Sequence, residues 1–239
     1  GGMSVPVSAR SARAELAAVA AGRGSDLDRS ALRSLPRAPG SRRAAVLMLF
    51  GVLDDLPSDH DAHDAAVSAD LDVLLLARAT TLSSHAGQIA FPGGRVDPGD
   101  TGPVDAALRE AREETGLDPA GVDVLGVLEE VPLAYSRHLV RPVLGWWRNP
   151  SPVRVVDERE SSDVFRVPVA DLLDAERRGT VSMRREGQSW RGPAFVVPHA
   201  DGEHLVWGFT AMLLDRLFDR LGWTEPWDQD REFPLTLPG

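Results

Sequence analysis

The sequence contains no cysteine, so disulfides and thiol catalysis are excluded. It also lacks a long apolar run. The longest, Ala44 to Leu53, includes Gly51 and is far too short to span a bilayer. No secretory leader is evident, the Gly1-Gly2 pair before Met3 reads as a tag remnant, and a cytoplasmic location is expected. Basic residues are in deficit: 26 Lys and Arg against 36 Asp and Glu give a formal net charge of −10 and a pI near 5.1. That balance argues against nucleic acid or an anionic membrane as the main partner. A phosphorylated small molecule stays open, because a bound metal reverses the local field. Hydrophobic content of 43% and charged content of 26% are ordinary for a globular chain, and 239 residues suffice for one large domain or two small ones.

The stretch from Gly87 to Leu117 carries the strongest pattern. It reads as a strand end, a Gly/Pro turn, a loop and a helix over Pro103 to Thr115. Pro103 suits the first helical position, Asp105 favours the positive end of the helix dipole, and Gly116 suits the C-terminal cap. Val104, Leu108, Ala111 and Thr115 share one face, with Ala107 at its edge. Glu110, Glu113 and Glu114 fall on another. Carboxylates at i, i+3 and i+4 repel by a few tenths of a kcal/mol per pair, and Arg109, at i−4 from Glu113, offsets only part of this. A solvated acidic face is the plain reading of such a helix. A hard divalent cation held by Glu110 and Glu114, with Glu113 beside them, is the other, and Mg²⁺ or Mn²⁺ fits oxygen donors.

Elsewhere, the pattern predicts helices at Ala9 to Ala21, Leu27 to Leu35, Val169 to Arg177 and Gly208 to Leu221. Strands are predicted at Ala44 to Leu53, Leu71 to Arg78, Val122 to Val131, His138 to Trp147, Val164 to Val167, Ser189 to Pro198 and His204 to Trp207. The first two of these strands suggest an antiparallel pair. Between them His60 and His63 lie among several aspartates, either in a solvated loop or at a metal. Strands outnumber dispersed helices, which fits a mixed sheet between helices, an α/β fold. The expected divisions are residues 1–40 as a tag remnant and helical extension, 41–223 as the main domain, and 224–239 as an irregular Pro-rich tail. The N-terminal segment and the last helix offer surfaces for packing on the core or for a homodimer.

The order Gly94, Arg109, Glu110, Glu113, Glu114, Gly116, Leu117 resembles the Nudix box, G-x5-E-x7-R-E-U-x-E-E-x-G-U with U aliphatic. Asp100 stands where the box has its first Glu, and eight residues rather than seven separate it from Arg109. Upstream, Leu74, Leu75, Arg78, Ala79, Gly87, Phe91, Pro92, Gly93 and Gly94 resemble the segment that precedes the box in coenzyme A pyrophosphatases of that family. Leu76 and Ser83 depart from it, Ser83 replacing an Arg suited to a phosphate. The Asp-for-Glu change, the longer spacer, Asp163 to Val169 and His204 to Ala211 are also shared with that group, so the resemblance spans residues 43 to 221.

The resemblance implies a Nudix-type α/β/α sandwich. It also implies metal-dependent hydrolysis of a nucleoside diphosphate derivative. The first choice is coenzyme A or acyl-CoA, cleaved to 3′,5′-ADP and (acyl-)4′-phosphopantetheine. The alternatives are ADP-ribose, NADH or a dinucleoside polyphosphate, or a non-catalytic binding module. The implied metal ligands are Glu110, Glu113 and Glu114, with Arg109 orienting the carboxylates and Asp100 anchoring the loop or reaching a metal through water. Arg78, Gly87, Gly93 and Gly94 are assigned to substrate, the last two through turn N–H groups or through positive φ alone. The base is a box glutamate or a carboxylate of a later loop, for which Glu160, Glu129 and Glu130 are candidates and a surface charge is the plainer reading. Tyr135, Trp146 and Trp147 are core or interface residues, or a surface on which adenine stacks.

Overall fold

The computed structural model describes residues 7–22, 39–53, 57–82, 87–133, 136–200 and 202–235. The predicted helix over Leu27 to Leu35, together with Ser83 and Tyr135, lies outside the described residues. Helix α1 is Val7–Ala20. Strands β1 (Arg42–Val52), β2 (Leu71–Arg78), β3 (Ile89–Ala90) and β4 (Gly93–Arg95) lead to helix α2 (Pro103–Thr115). Strands β5 (Val122–Val127), β6 (Val131–Leu133), β7 (His138–Trp147) and β8 (Ser161–Pro168) follow, then the short helix α3 (Val169–Leu173). Strands β9 (Arg178–Arg185), β10 (Gln188–His199) and β11 (Gly202–Val206) precede helix α4 (Gly208–Leu221).

The central sheet is eight-stranded and mixed, with the path β3-β2-β1-β7-β5 and with β8 paired to β2. Strands β1 and β7 are parallel; β1 and β2 are antiparallel, as the sequence suggested. The core strands read as continuous apolar runs because both faces are covered. Alternation along β1 sends Ala45, Leu47 and Leu49 to one side, where they meet Ala106, Ala107 and Ala111 of α2. Met48 and Phe50 point to the other side, which is closed by Leu16 of α1, Leu214 and Phe218 of α4, and Phe195 and Val197 of β10. The result is the α/β sandwich implied by the sequence, with the antiparallel sheet β11-β10-β9 added to one outer layer.

Several boundaries differ from the sequence expectation. The strand expected over Val122 to Val131 is divided into β5 and β6, and Leu128 instead donates its N–H to Pro142 O. The strand expected at Val164 to Val167 begins earlier, at Ser161. The helix expected to Arg177 stops at Leu173, and a 3-10 turn covers Ala175–Arg177. Strand β9 was not expected; only its first residues are buried, so its charged remainder hides the signal. The N-terminal helix packs on the core, one of the two expectations for it: Ala12, Leu16 and Val19 of α1 share one apolar cluster with Leu213, Leu217 and Phe218 of α4.

The tail is irregular, as expected, yet it is packed. Trp223 is buried and donates from Nε1 to Glu15 of α1 at 2.5 Å. The fully buried Arg178 guanidinium lies between the rings of Phe195 (4.6 Å) and Trp227 (4.4 Å) and pairs with Asp215 at 2.5 Å. His60 and the exposed His63 lie in an irregular segment, as expected, but that segment is anchored to the tail: His60 Nε2 lies 2.9 Å from Glu225, and the His63 N–H donates to the same buried carboxylate at 2.8 Å.

Candidate active site

Helix α2 begins at Pro103 and ends where Gly116 adopts φ 73°, its N–H donating to Arg112 O. A left-handed residue there favours glycine, so the helix stops where the box ends. Burial of Ala106, Ala107 and Ala111 holds the helix close to β1, because alanines leave no side chain to separate them. That approach brings the acidic face over the β3–β4 corner.

Glu114 is the most enclosed of the three glutamates on α2. Its Oε1 accepts the Gly93 N–H at 2.9 Å. Burial pushes its pKa up to about 8; the Gly93 N–H and the Arg78 charge oppose that rise, and the charges of Glu110 and Glu160 add to it. Glu110 is half-buried, and its pKa is raised by desolvation despite the neighbouring Arg109. Glu113 is different, with 58% of its side chain exposed and Arg109 as its partner at 3.2 Å. Glu110 and Glu114 therefore form an inner pair, with Glu113 outside it.

Arg109 is fully engaged. Its Nε and Nη2 fork onto Asp100 at 2.9 and 3.0 Å, and its Nη1 donates to Glu110 at 3.1 Å and Glu113 at 3.2 Å. Nη2 also donates to Arg95 O at 3.1 Å. The fork fixes the plane of the guanidinium, and these bonds raise its pKa further. Asp100 is only 4% exposed and accepts the Asp97 N–H at 2.7 Å, and its pKa is held below the usual range chiefly by Arg109. The acid that departs from the box thus anchors the loop to Arg109.

Gly93 and Gly94 correct one expectation. They lie in a strand paired with β1 rather than in a turn, and neither has a positive φ. Close approach explains them instead. A Cβ on Gly93 would meet Ala45 O at 2.3 Å, and one on Gly94 would meet Glu110 Cδ at 2.6 Å. The Gly93 N–H is also committed to Glu114.

Arg78 ends β2 at an irregularity in its pairing with β8. Its N–H donates to Gln88 O, and its carbonyl accepts from Gly87, whose φ is 70°. Its Nε is buried without a hydrogen-bond partner among the described residues. A buried cationic donor is costly to leave unpaired, which marks this position as one where an anion would be favourable. Glu160 is exposed, but its carbonyl accepts the Ala79 N–H at 2.9 Å, so it flanks Arg78, and its charge reaches Glu114. The structure thus brings Arg78, Glu110, Glu114 and Glu160 into one electrostatic neighbourhood.

The other candidates lie elsewhere. Glu129 pairs with Arg220 of α4 at 3.1 Å. Trp146 and Trp147 are core residues on opposite sides of the sheet, so the adenine surface considered for them is buried.

The donors at Glu110 and Glu114 are hard oxygens whose like charges are pushed together and desolvated. Gly94 leaves the space that the Glu110 carboxylate occupies. This donor set fits a hard divalent cation. Among the described residues no helix is long and apolar enough to cross a membrane.

The NUDIX domain model matches residues 60–186. The Nudix hydrolase NudL of Escherichia coli O6:H1, itself named as uncharacterized, is 39% identical over 150 residues, covering 63% of this chain and 75% of that protein. NudL of Salmonella paratyphi B is 40% identical over the same shares. A MutT/nudix family protein from Enterococcus faecalis aligns with a TM-score of 0.45 and 16% identity, over 87% of this chain and 74% of that one. Nudix hydrolases use divalent metal ions and act on small molecules. The chain belongs to the Nudix family and is a pyrophosphohydrolase.

Proposed function

We propose that the chain hydrolyses the pyrophosphate of coenzyme A or an acyl-CoA, giving 3′,5′-ADP and (acyl-)4′-phosphopantetheine. The observation that carries this reading is the partly buried Glu110–Glu114 pair, whose inner member feels the charge of Arg78, an arginine with a buried Nε that has no hydrogen-bond partner among the described residues. Support for coenzyme A comes from the upstream segment: Leu74, Leu75, Arg78, Ala79, Gly87, Phe91, Pro92, Gly93 and Gly94 belong to the β2, β3 and β4 region beside Glu114.

Glu110 and Glu114 would hold Mg²⁺ or Mn²⁺, with Glu113 as an outer ligand. A bound divalent ion there neutralises phosphate oxygens and acidifies water. Arg78 binds the diphosphate through its guanidinium. Gly87 permits the tight return that positions Arg78, and Gly93 and Gly94 let α2 and its carboxylates approach the sheet. Arg109 positions Glu110 and Glu113 and is saturated by them and by Asp100. Glu160 takes the proton of the attacking water: a new P–O bond forms as the anhydride P–O bond breaks, and the departing phosphate keeps the electron pair.

The test is product analysis with Mg²⁺ over a panel of coenzyme A, acetyl-CoA, ADP-ribose, NADH and diadenosine polyphosphates. Release of 3′,5′-ADP, with kcat/KM highest for the coenzyme A compounds, is expected. A panel in which coenzyme A stays intact while another compound is cleaved overturns the substrate and leaves the family in place.

A further inference from the structure

We propose that Asp163, His199 and His204 form a second metal centre, selective for a borderline transition ion such as Zn²⁺ and separate from the acidic helix. Each offers one ligand atom, and these atoms all lie within 4.8 Å of one another. Zn²⁺ bonds of about 2.0–2.2 Å in a tetrahedron place donors roughly 3.3–3.5 Å apart. Closing the remaining distance takes about an ångström, within reach of side-chain rotation. His199 Nε2 and Asp163 Oδ2, in hydrogen-bond contact at 2.6 Å, instead part by about 0.8 Å as an ion enters between them.

The donors are carried by strands of two sheets. Asp163 lies on β8 opposite Ala77, His204 on β11 opposite Val197, and His199 at the end of β10 opposite Gly202. Phe165, two residues along β8 on the same face, supports both imidazoles. Its ring stacks on His204 at 5.5 Å and 15°, and it meets His199 edge-on at 5.1 Å and 74°. The two imidazoles are nearly perpendicular, 4.2 Å apart. One wall of the centre is therefore apolar and fixes the rings. The other side is open, since the Asp163 side chain is 37% exposed. Three protein ligands and an open fourth position match the donor count of a zinc site that keeps a water.

The central sheet separates this centre from the acidic helix. Val164 packs with the cluster under α2, whereas Phe165 packs with the cluster on the opposite side. Donor chemistry separates them too: imidazole suits Zn²⁺, whereas Mg²⁺ takes oxygen ligands. An ion here ties β8 to the second sheet, three residues from Glu160. Its role is to fix the strand that directly follows Glu160, not to contact the diphosphate.

The full chain, stripped with chelator and desalted, is to be loaded with ZnCl₂ in the presence of excess MgCl₂ and analysed for bound zinc. Co²⁺ loading then reports the coordination by visible absorption. We expect one retained equivalent of zinc and a rise in Tm by mass action. Asp163→Asn and His204→Gln should each weaken binding by more than the ~10–100-fold that outer-shell changes produce. The double variant Glu110→Gln/Glu114→Gln and the control His60→Gln should retain the equivalent. Asp163 is part-exposed, so Asp163→Asn is expected to fold, with circular dichroism as the check, and it decides the matter even where a histidine variant does not fold. Absence of zinc from the folded wild type, or binding undiminished in Asp163→Asn, overturns the proposal.

Discussion

Gly94→Ala separates the architecture of the site from its chemistry. The new Cβ would lie 2.6 Å from Glu110 Cδ and 2.7 Å from its Oε1. Ordinary contact begins near 3.4 Å, so the carboxylate must retreat by about 0.8 Å. The obstacle is the far end of a flexible side chain, and φ at Gly94 lies outside the positive region, so the backbone tolerates the methyl. Replacing Gly by Ala under those conditions restricts the unfolded chain and stabilises by roughly 0.4–1 kcal/mol. A reacting constellation displaced by an ångström loses on the order of 10²-fold in rate. The expected variant therefore melts at or slightly above the wild-type temperature, turns over about 10²-fold more slowly, and needs more Mg²⁺ to reach half its maximal rate. Gly93→Ala is the contrast: its Cβ meets Ala45 O at 2.3 Å and Val46 Cα at 2.8 Å, both backbone, so stability should fall. Scanning calorimetry with steady-state kinetics distinguishes the two. Wild-type turnover and Mg²⁺ dependence in a folded Gly94→Ala variant would refute the assignment of Glu110 to the metal.

Glu114→Gln keeps an acceptor for the Gly93 N–H and removes a charge that burial disfavours. It should keep the apo Tm and lower kcat by more than ~10²-fold; near-normal turnover with Mg²⁺ would remove Glu114 from the ligand set. Asp72, buried in β2, has its pKa pushed up to about 8 by desolvation and then by Asp70 and Asp171, and its Oδ1 has no hydrogen-bond partner among the described residues. A folded-state pKa above the unfolded value of about 3.9 means stability fully present below pH ~4 and lost as pH rises to about 8. Asp72→Asn should flatten that decline and stabilise the protein at pH 8 by on the order of a few kcal/mol. Parallel denaturation curves for the two proteins from pH 5 to 8 would count against the buried charge.

Local signals were legible where one short segment decides the outcome. Proline at the first helical position and a left-handed Gly116 define α2 as read, and short apolar runs, Val73 to Ala77 and Pro142 to Trp147, give β2 and β7. The spacing of Leu213, Leu217 and Leu221 gives α4. The acidic face was visible as i, i+3, i+4, but its inequality was not. Glu113 is exposed and Glu114 enclosed because α2 tilts onto the β3–β4 corner, and that is a property of packing. The glycine pair was read as a turn; its actual cause, close contact with β1 and Glu110, required the third dimension. The His199–Asp163 contact and the His60–Glu225 pair join distant segments and carry no local periodicity. Strand β9 was lost because its second half is largely exposed and ends in two arginines.

The bond from Trp223 to Glu15 joins positions 208 apart in the chain. Closing so long a loop takes a toll in chain entropy that only a largely assembled molecule can meet. The two ends should therefore dock late in folding and detach early in unfolding, as one cooperative unit. They cover the sheet face turned away from α2, so a molecule with its ends undocked would still hold its carboxylates over β4. Hydrogen exchange should accordingly report two levels of protection, lower in α1 and α4 than in β1 and α2.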